Sequence, residues 1–345
     1  MFPRSRTLTF RNGCEVPTPL LIPSISSKGF PPIVLDGEEM PAAAFYLETF
    51  AGWMTESLLV SAYDIHHGLI ADVDGLYNNF QRSLYSHPEL LVVDSGLYEF
   101  RPGSDAGELY ADSGQPLEWN PDLLASTLDR LPDEINAAIV NWDTYDSYDV
   151  QIRAAEEFFA VAERVRFISI FLVKPEPDHF FHDFTGLAPY AERLRVFDVV
   201  GVTEKELGDT VSGRLQALSK LRSTLQDAGV HAPIHVFGGL DPLYTPLYFG
   251  AGAEIFDGLS WLRYAYHDGV SIYREAALVI DGTLDERIGR ALALLQVRNL
   301  QVLQDLQRDL KILETTHRWS HFKQRHTLEG AARVLETPEV KEETQ

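Results

Sequence analysis

The chain has 345 residues, 45% of them hydrophobic and 11% aromatic, which is enough for one large α/β domain or two modest ones. Lys plus Arg total 29 against 51 Asp plus Glu, a formal charge of −22 that repels a polyanion and argues against a solitary DNA or tRNA enzyme. A single cysteine, Cys14, excludes internal disulfides and Cys-rich zinc sites. No apolar run reaches the length of a membrane span, and "MFPRSRTLTFRNG" lacks the apolar core of a secretion signal, so a cytoplasmic location is expected.

In chain order, eight short apolar, β-branched runs read as strands: "TPLLIPSIS" (18–26), "SLLVSAYDI" (57–65), "LLVVDSG" (90–96), "AAIVNWD" (137–143), "RFISIFLVK" (166–174), "VFDVVGVT" (196–203), "PIHVFGG" (233–239) and "EIFDGLSW" (254–261). Helical patterns lie between them, among them "VQIRAAEEFFAVAERV" and "GRLQALSKLRSTLQDAG", the second closed by a glycine suited to a C-cap. Near-continuously apolar strands alternating with helices predict a parallel sheet covered on both faces, and eight such units predict an α/β fold, a (β/α)8 TIM barrel over 1–284. A doubly wound open sheet is the competing architecture, but no G-x-G-x-x-G follows the first strand.

After the barrel, Ile288, Leu292, Leu295, Val302, Leu306, Leu310 and Leu313 recur at spacings of three, four or seven. They predict one helix of about 30 residues, roughly 45 Å long. This C-terminal helical extension, 285–326, is expected to pack on the barrel or on a partner. "HRWSHFKQRH" is the most basic patch in the chain, and 327–345 reads as a solvated tail.

In a TIM barrel, chemistry gathers at the C-terminal strand ends. Those ends include Asp94, Asp143, Lys174, Gly201, Gly238 and Asp257, and three carboxylates at one rim would destabilise one another without a ligand. Each has a plainer alternative: Asp94-Ser95-Gly96 as a turn, Asp143 as a helix cap, Tyr98 as core, Arg263 as an ion-pair partner. His66 and His67 in "DIHHGL" do not suggest a metal site, since neighbours on a strand point to opposite faces.

These segments, in this order, resemble the tRNA-guanine transglycosylase family of base-exchange enzymes over about residues 18–315. "VVDSGLYEF" is similar to that family's D-S-G-G-[FY]-Q segment, with Leu97 at its second Gly and Glu99 at its Gln. "IVNWDTYDSY" is similar to F-D-E-C. "EIFDGLSWLRYA" resembles M-F-D-C-V-x-P-T-R, keeping the Asp257-to-Arg263 spacing but replacing Pro-Thr by Trp261-Leu262. "HVFGGLDP" resembles the glycine-rich stretch upstream of it, and "VRNLQVLQDL" the H-N-L pattern of the closing helix.

The resemblance implies Asp257 as nucleophile, Asp94 as general acid/base, and Tyr98, Asp143, Ser95, Gly201 and Lys174 around a guanine or 7-deazaguanine base. Arg263 would contact a phosphate or a partner. No cofactor is implied. The family's C-x-C-x-x-C zinc cluster has no counterpart here, where "DGTLDERIGRALALLQ" spans its place, so no metal is expected. Val202 stands at the second Gly of the family's G-G-L-x-V-G-E loop, which removes a close backbone approach to the base.

Base exchange at a glycosidic carbon passes through an oxocarbenium-like state that carboxylates stabilise. An enzyme acting on tRNA, DNA or an unusual acceptor is one reading. A binding subunit that recognises a deazaguanine within a partner protein is another, and a nucleosidase is a third. The lost zinc region and the acidic surface fit divergent settings, DNA modification or antiphage operons such as type IV CBASS, better than housekeeping tRNA work. A homodimer or heteromeric protein partner is expected, nucleic acid is disfavoured by charge, and no membrane contact is expected.

Overall fold

A computed structural model describes residues 5–35, 37–101, 116–283 and 288–336. Eight strands close into an all-parallel barrel. They are β1 (Leu20–Ile25), β2 (Ser57–Ser61), β3 (Leu90–Asp94), β4 (Ala137–Val140), β5 (Ile168–Leu172), β6 (Val199–Thr203), β7 (Ile234–Phe237) and β8 (Ile255–Gly258). Neighbours in sequence are neighbours in space, and β8 pairs with β1 to complete the ring, Asp257 opposite Ile22. This is the (β/α)8 architecture that the alternating apolar runs predict.

Period-two alternation divides each strand between two cores. Leu20, Ile22, Leu59, Leu90, Val92, Val140, Ile170, Leu172, Val199 and Ile255 fill the barrel interior. Leu21, Leu58, Val60, Leu91, Val93, Ile139, Phe171, Val200, Val202 and Val236 face outward into the helical layer. Burial on both faces is why these strands read as unbroken apolar runs. Several elements escaped the sequence reading, the antiparallel hairpins Ile33–Leu35 with Glu38–Met40 and Ala265–His267 with Val270–Ile272 among them. Another antiparallel hairpin, Thr7–Thr9 with Glu15–Pro17, inserts Leu8, Phe10 and Val16 into the interior core and plugs the N-terminal end of the barrel.

The main helices are α1 (Ala42–Phe50), α2 (Pro121–Asp129), α3 (Tyr148–Phe159), α4 (Val211–Asp227), α5 (Tyr244–Ala251), α6 (Ile288–Thr316) and α7 (Arg325–Ala332). After α4, Gly229 takes φ +65°, the left-handed stop expected there.

The long helix α6 packs on the barrel as its eighth helix. Leu300, Leu303, Leu306, Leu310 and Leu313 are buried in the outer core, Gln307 accepts the Leu21 N–H at 3.3 Å, and its amide donates to Glu56 at 2.9 Å. Asn299, fully buried, accepts the Tyr266 N–H and donates to the carbonyls of Trp261 and Tyr264, each at 2.8 Å. Among the described residues, no helix is long and apolar enough to cross a membrane.

Two expectations change. Residues 327–336 are helical rather than a tail: Leu328 is buried, and Trp319 and Phe322 of the basic segment join the core. The remainder of the tail, 337–345, and residues 285–287 of the extension lie outside the described residues. The second strand stops at Ser61, and Ala62–His66 is a helical turn, because Ala, Tyr and Ile serve a buried helix as well as a strand. The two histidines therefore do not point to opposite faces. Their rings pack edge-on at 4.8 Å, His66 Nδ1 lies 3.1 Å from the Thr127 hydroxyl, and His67 Nε2 lies 3.1 Å from the Glu118 carbonyl.

Candidate functional site

The inward-facing rows turn polar in their last layer. Ser24 on β1, Ser61 on β2, Asp94 on β3, Thr203 on β6 and Asp257 on β8 end the strands at the C-terminal rim, and Lys174 follows β5. Asp143 follows β4 but does not cap α3, whose N-cap is Ser147.

Asp257 is 6% exposed and held on three sides. Ser24 Oγ donates to Oδ2 at 2.8 Å, the Gly238 N–H donates to Oδ1 at 3.3 Å, and His235 Nε2 lies 3.1 Å from Oδ1. No Lys or Arg among the described residues is paired with it. His235, fully buried on β7, is a site residue that the sequence reading missed. Its signal was a lone polar residue at an inward position of an apolar strand.

Among the described residues, Asp94 has one hydrogen bond, from the Gly96 N–H at 3.3 Å. Burial, then the charges of Glu99, Asp143 and Asp257, push its carboxyl up to about 8. Those same charges show that the three predicted carboxylates share one rim. Glu99 accepts from Ser26 at 2.5 Å and from Ser61 at 2.7 Å. It adjoins Asp64, also missed, whose fully buried carboxyl takes the Ser27 N–H and hydroxyl at 2.8 and 2.5 Å. Burial and the Glu99 charge push Asp64 well above the carboxylate range.

The opposite side of the rim is compensated. Asp143 Oδ1 accepts from Ser95 Oγ at 3.2 Å. Oδ2 takes Arg101 at 2.9 Å and lies 3.6 Å from Lys174 Nζ. Both oxygens that the base-reading role would use thus already accept a hydrogen bond, one of them from Arg101. Lys174 Nζ also donates to Thr203 at 2.8 Å and to Glu206 at 3.2 Å. Burial opposes its charge, but Asp143, Glu206 and Tyr145 outweigh that and raise its pKa.

Tyr98 is half-buried: Lys28 Nζ stands 4.9 Å over its ring, and its hydroxyl accepts from Arg263 at 3.2 Å. Arg263 also lies over the Phe30 ring, so it is built into this wall of the rim. Ser95 is buried and its carbonyl takes the Trp119 N–H, which fixes the turn between Asp94 and Tyr98.

Gly201 faces inward, where a Cβ would come within 2.7 Å of the Phe237 ring. Val202 points outward into the helical core.

Among the described residues, no three His, Cys, Asp or Glu side chains form a group able to hold a metal ion. The rim supplies a carboxylate held by three donors, a second carboxyl raised to about 8, and a hydrogen-bonded aromatic ring. No protein-family model and no curated protein matches the chain.

Proposed function

We propose that the protein is a glycosidic base-exchange enzyme acting on a guanine or 7-deazaguanine base through a covalent Asp257 ester. The observation that carries this reading is the divergence of two acids at one rim. The Asp94 carboxyl is raised to about 8 and enters the reaction protonated, whereas Asp257 faces three donor groups and, among the described residues, no paired Lys or Arg. Environments that separate two acids in this way suit one to general acid catalysis and the other to nucleophilic attack.

In the first half-reaction, an Asp257 oxygen bonds to the anomeric carbon as the glycosidic C–N bond breaks. The bonding pair goes to the departing base, and the Asp94 proton neutralises it. The incoming base then attacks the same carbon, returns its N–H proton to Asp94, and releases Asp257. The choice of base rests on the likeness of the "VVDSGLYEF" and "EIFDGLSWLRYA" segments to the transglycosylase family, with Tyr98 as the stacking surface. The formal charge of −22 supports a non-standard acceptor, in DNA modification or antiphage defence, over free tRNA.

The locked state of Asp143 favours a second reading, a deazaguanine-binding subunit that works with a protein partner without turnover. Intact mass spectrometry decides between them, after incubation with tRNA and with deazaguanine-containing DNA in the presence of free guanine or a 7-deazaguanine. A pentosyl–protein adduct that Asp257→Asn abolishes supports the enzyme. Calorimetric binding of the base without adduct or exchange supports the subunit, and no binding of either base ends both readings.

A further inference from the structure

The geometry points to a positioning chain, Gly201–Phe237–His235–Asp257, in which a buried histidine aims the nucleophile and selects which of its oxygens attacks. This inference rests on the reaction proposed above and adds to it residues that the resemblance does not assign such a role.

His235 and Phe237 are two residues apart on β7, so both face the barrel interior. Their rings stack at 3.9 Å between centroids with an interplanar angle of 25°. Phe237 reaches the space that Gly201 leaves on β6, where a methyl group would meet the Phe237 ring at 2.7 Å; in the β6–β7 register Gly201 stands opposite His235 itself and Phe237 is paired with Thr203. The glycine therefore serves the stack: it seats Phe237, and Phe237 fixes the plane of the imidazole. The imidazole in turn places Nε2 at 3.1 Å from Asp257 Oδ1. A carboxylate oxygen only accepts, so Nε2 carries a proton, while Nδ1 is buried with no hydrogen-bond partner among the described residues, which favours the tautomer that leaves Nδ1 bare. A bare acceptor is the less costly orphan, since a buried N–H with nothing to donate to would lose a full hydrogen bond.

The two Asp257 oxygens are thereby made different. Oδ1 accepts from His235 and from the Gly238 N–H, whereas Oδ2 accepts, among the described residues, from the Ser24 hydroxyl alone. The doubly bonded Oδ1 is the one suited to become the carbonyl oxygen of the ester, and Oδ2 forms the bond to the sugar carbon. When the ester breaks, the electron pair returns to Oδ2 and the His235 and Gly238 donors again share the carboxylate charge on Oδ1. Nothing in this cycle requires His235 to gain or lose a proton. It is a positioning residue, acting through Asp257.

The test pairs two substitutions that separate donor from ring. His235→Phe keeps a ring to stack on Phe237 and removes the donor; His235→Gln keeps an amide donor near the Nε2 position and removes the ring. The rate of covalent adduct formation in a single turnover is expected to fall about 10²-fold in His235→Phe with base affinity nearly unchanged, the size of effect that misplacing a reacting group brings. His235→Gln should stay within about tenfold of the wild type. An adduct rate in folded His235→Phe within about threefold of the wild type, or equal losses in both variants, would overturn the assignment.

Nitrogen-15 NMR of the imidazole in the unsubstituted protein reads the same hydrogen bond without any variant. A slowly exchanging proton on Nε2 is expected, and a proton on Nδ1 refutes the chain even if His235→Phe does not fold. A wild type that forms no adduct with any acceptor takes down the proposed reaction and this inference with it. A wild type that does, beside an unimpaired His235→Phe, takes down this inference alone.

Discussion

Two buried acids three residues apart in sequence, Glu254 and Asp257, are treated in opposite ways by the same end of the chain. Glu254, at the foot of β8, is fully buried and receives Arg222 at 2.5 Å, Arg6 at 3.1 Å and the Ile234 N–H at 2.7 Å. Burial pushes its carboxyl up and the Arg222 guanidinium down, each against the pull of the other. At the head of the strand, Asp257 has hydroxyl, imidazole and backbone donors and, among the described residues, no paired Lys or Arg. A buried acid with two arginines is closed to further chemistry and holds the plugged end of the barrel together. A buried acid without one still has its charge to use. In a barrel of this kind, the foot serves stability and the head serves reaction.

Mutation can break that contrast. Arg222→Ala removes the more deeply buried of the two arginines on Glu254 and should cost roughly 3–5 kcal/mol in urea unfolding. Asp257→Asn should cost no more than about 1–2 kcal/mol while lowering adduct formation on the order of 10³-fold or more. Equal stability losses would make Asp257 a second structural acid and remove the basis for the proposed reaction.

The pH dependence sharpens the same contrast. Asp94 titrates from 3.8 in the unfolded chain to about 8 in the folded one, so the folded state holds the extra proton between those values. Its contribution to stability is whole below about pH 4 and is lost as pH rises to about 8, a swing on the order of a few kcal/mol at most. Asp94→Asn should flatten that slope, and a wild-type slope unchanged by the substitution would show that Asp94 is not the group responsible. Base exchange should decline above about pH 8 as the acid is deprotonated.

Two smaller effects concern the frame and the far wall. Asn299→Ala removes the amide that ties α6 to the chain after β8 and should cost roughly 1–3 kcal/mol. Arg101→Ala removes a half-exposed partner of Asp143 and should change stability by less than about 1 kcal/mol. The same change should tighten base binding, because it frees the carboxylate that the base must reach. Weaker binding in calorimetry would assign Arg101 to the ligand instead.

The eight strands were legible because each is apolar on both faces and bounded by polar ends. The plugging hairpin was not, since its three-residue strands alternate exposed and buried and leave Leu8 and Val16 as isolated apolar residues. The acids at strands three, four and eight could be placed from their position at the ends of apolar runs. What surrounds them could not: Arg101 reaches Asp143 across 42 residues and His235 reaches Asp257 across 22, and no local pattern encodes either meeting. Leu300 and Leu303 were also outside the repeat read along α6, because the helix buries a stripe wider than one heptad seam.

The hydrogen bond between Ser24 and Asp257 joins residues 233 positions apart, across the pairing of the first strand with the last. Translation order gives this bond a temporal meaning. Ser24 leaves the ribosome long before Asp257 exists, and α6, which clasps Leu21, follows later still. Ser24 therefore reaches Asp257 only when the ring shuts, so a nascent or partly opened chain leaves Asp257 without that donor, and the proposed ester would have its full set of donors only within a finished barrel.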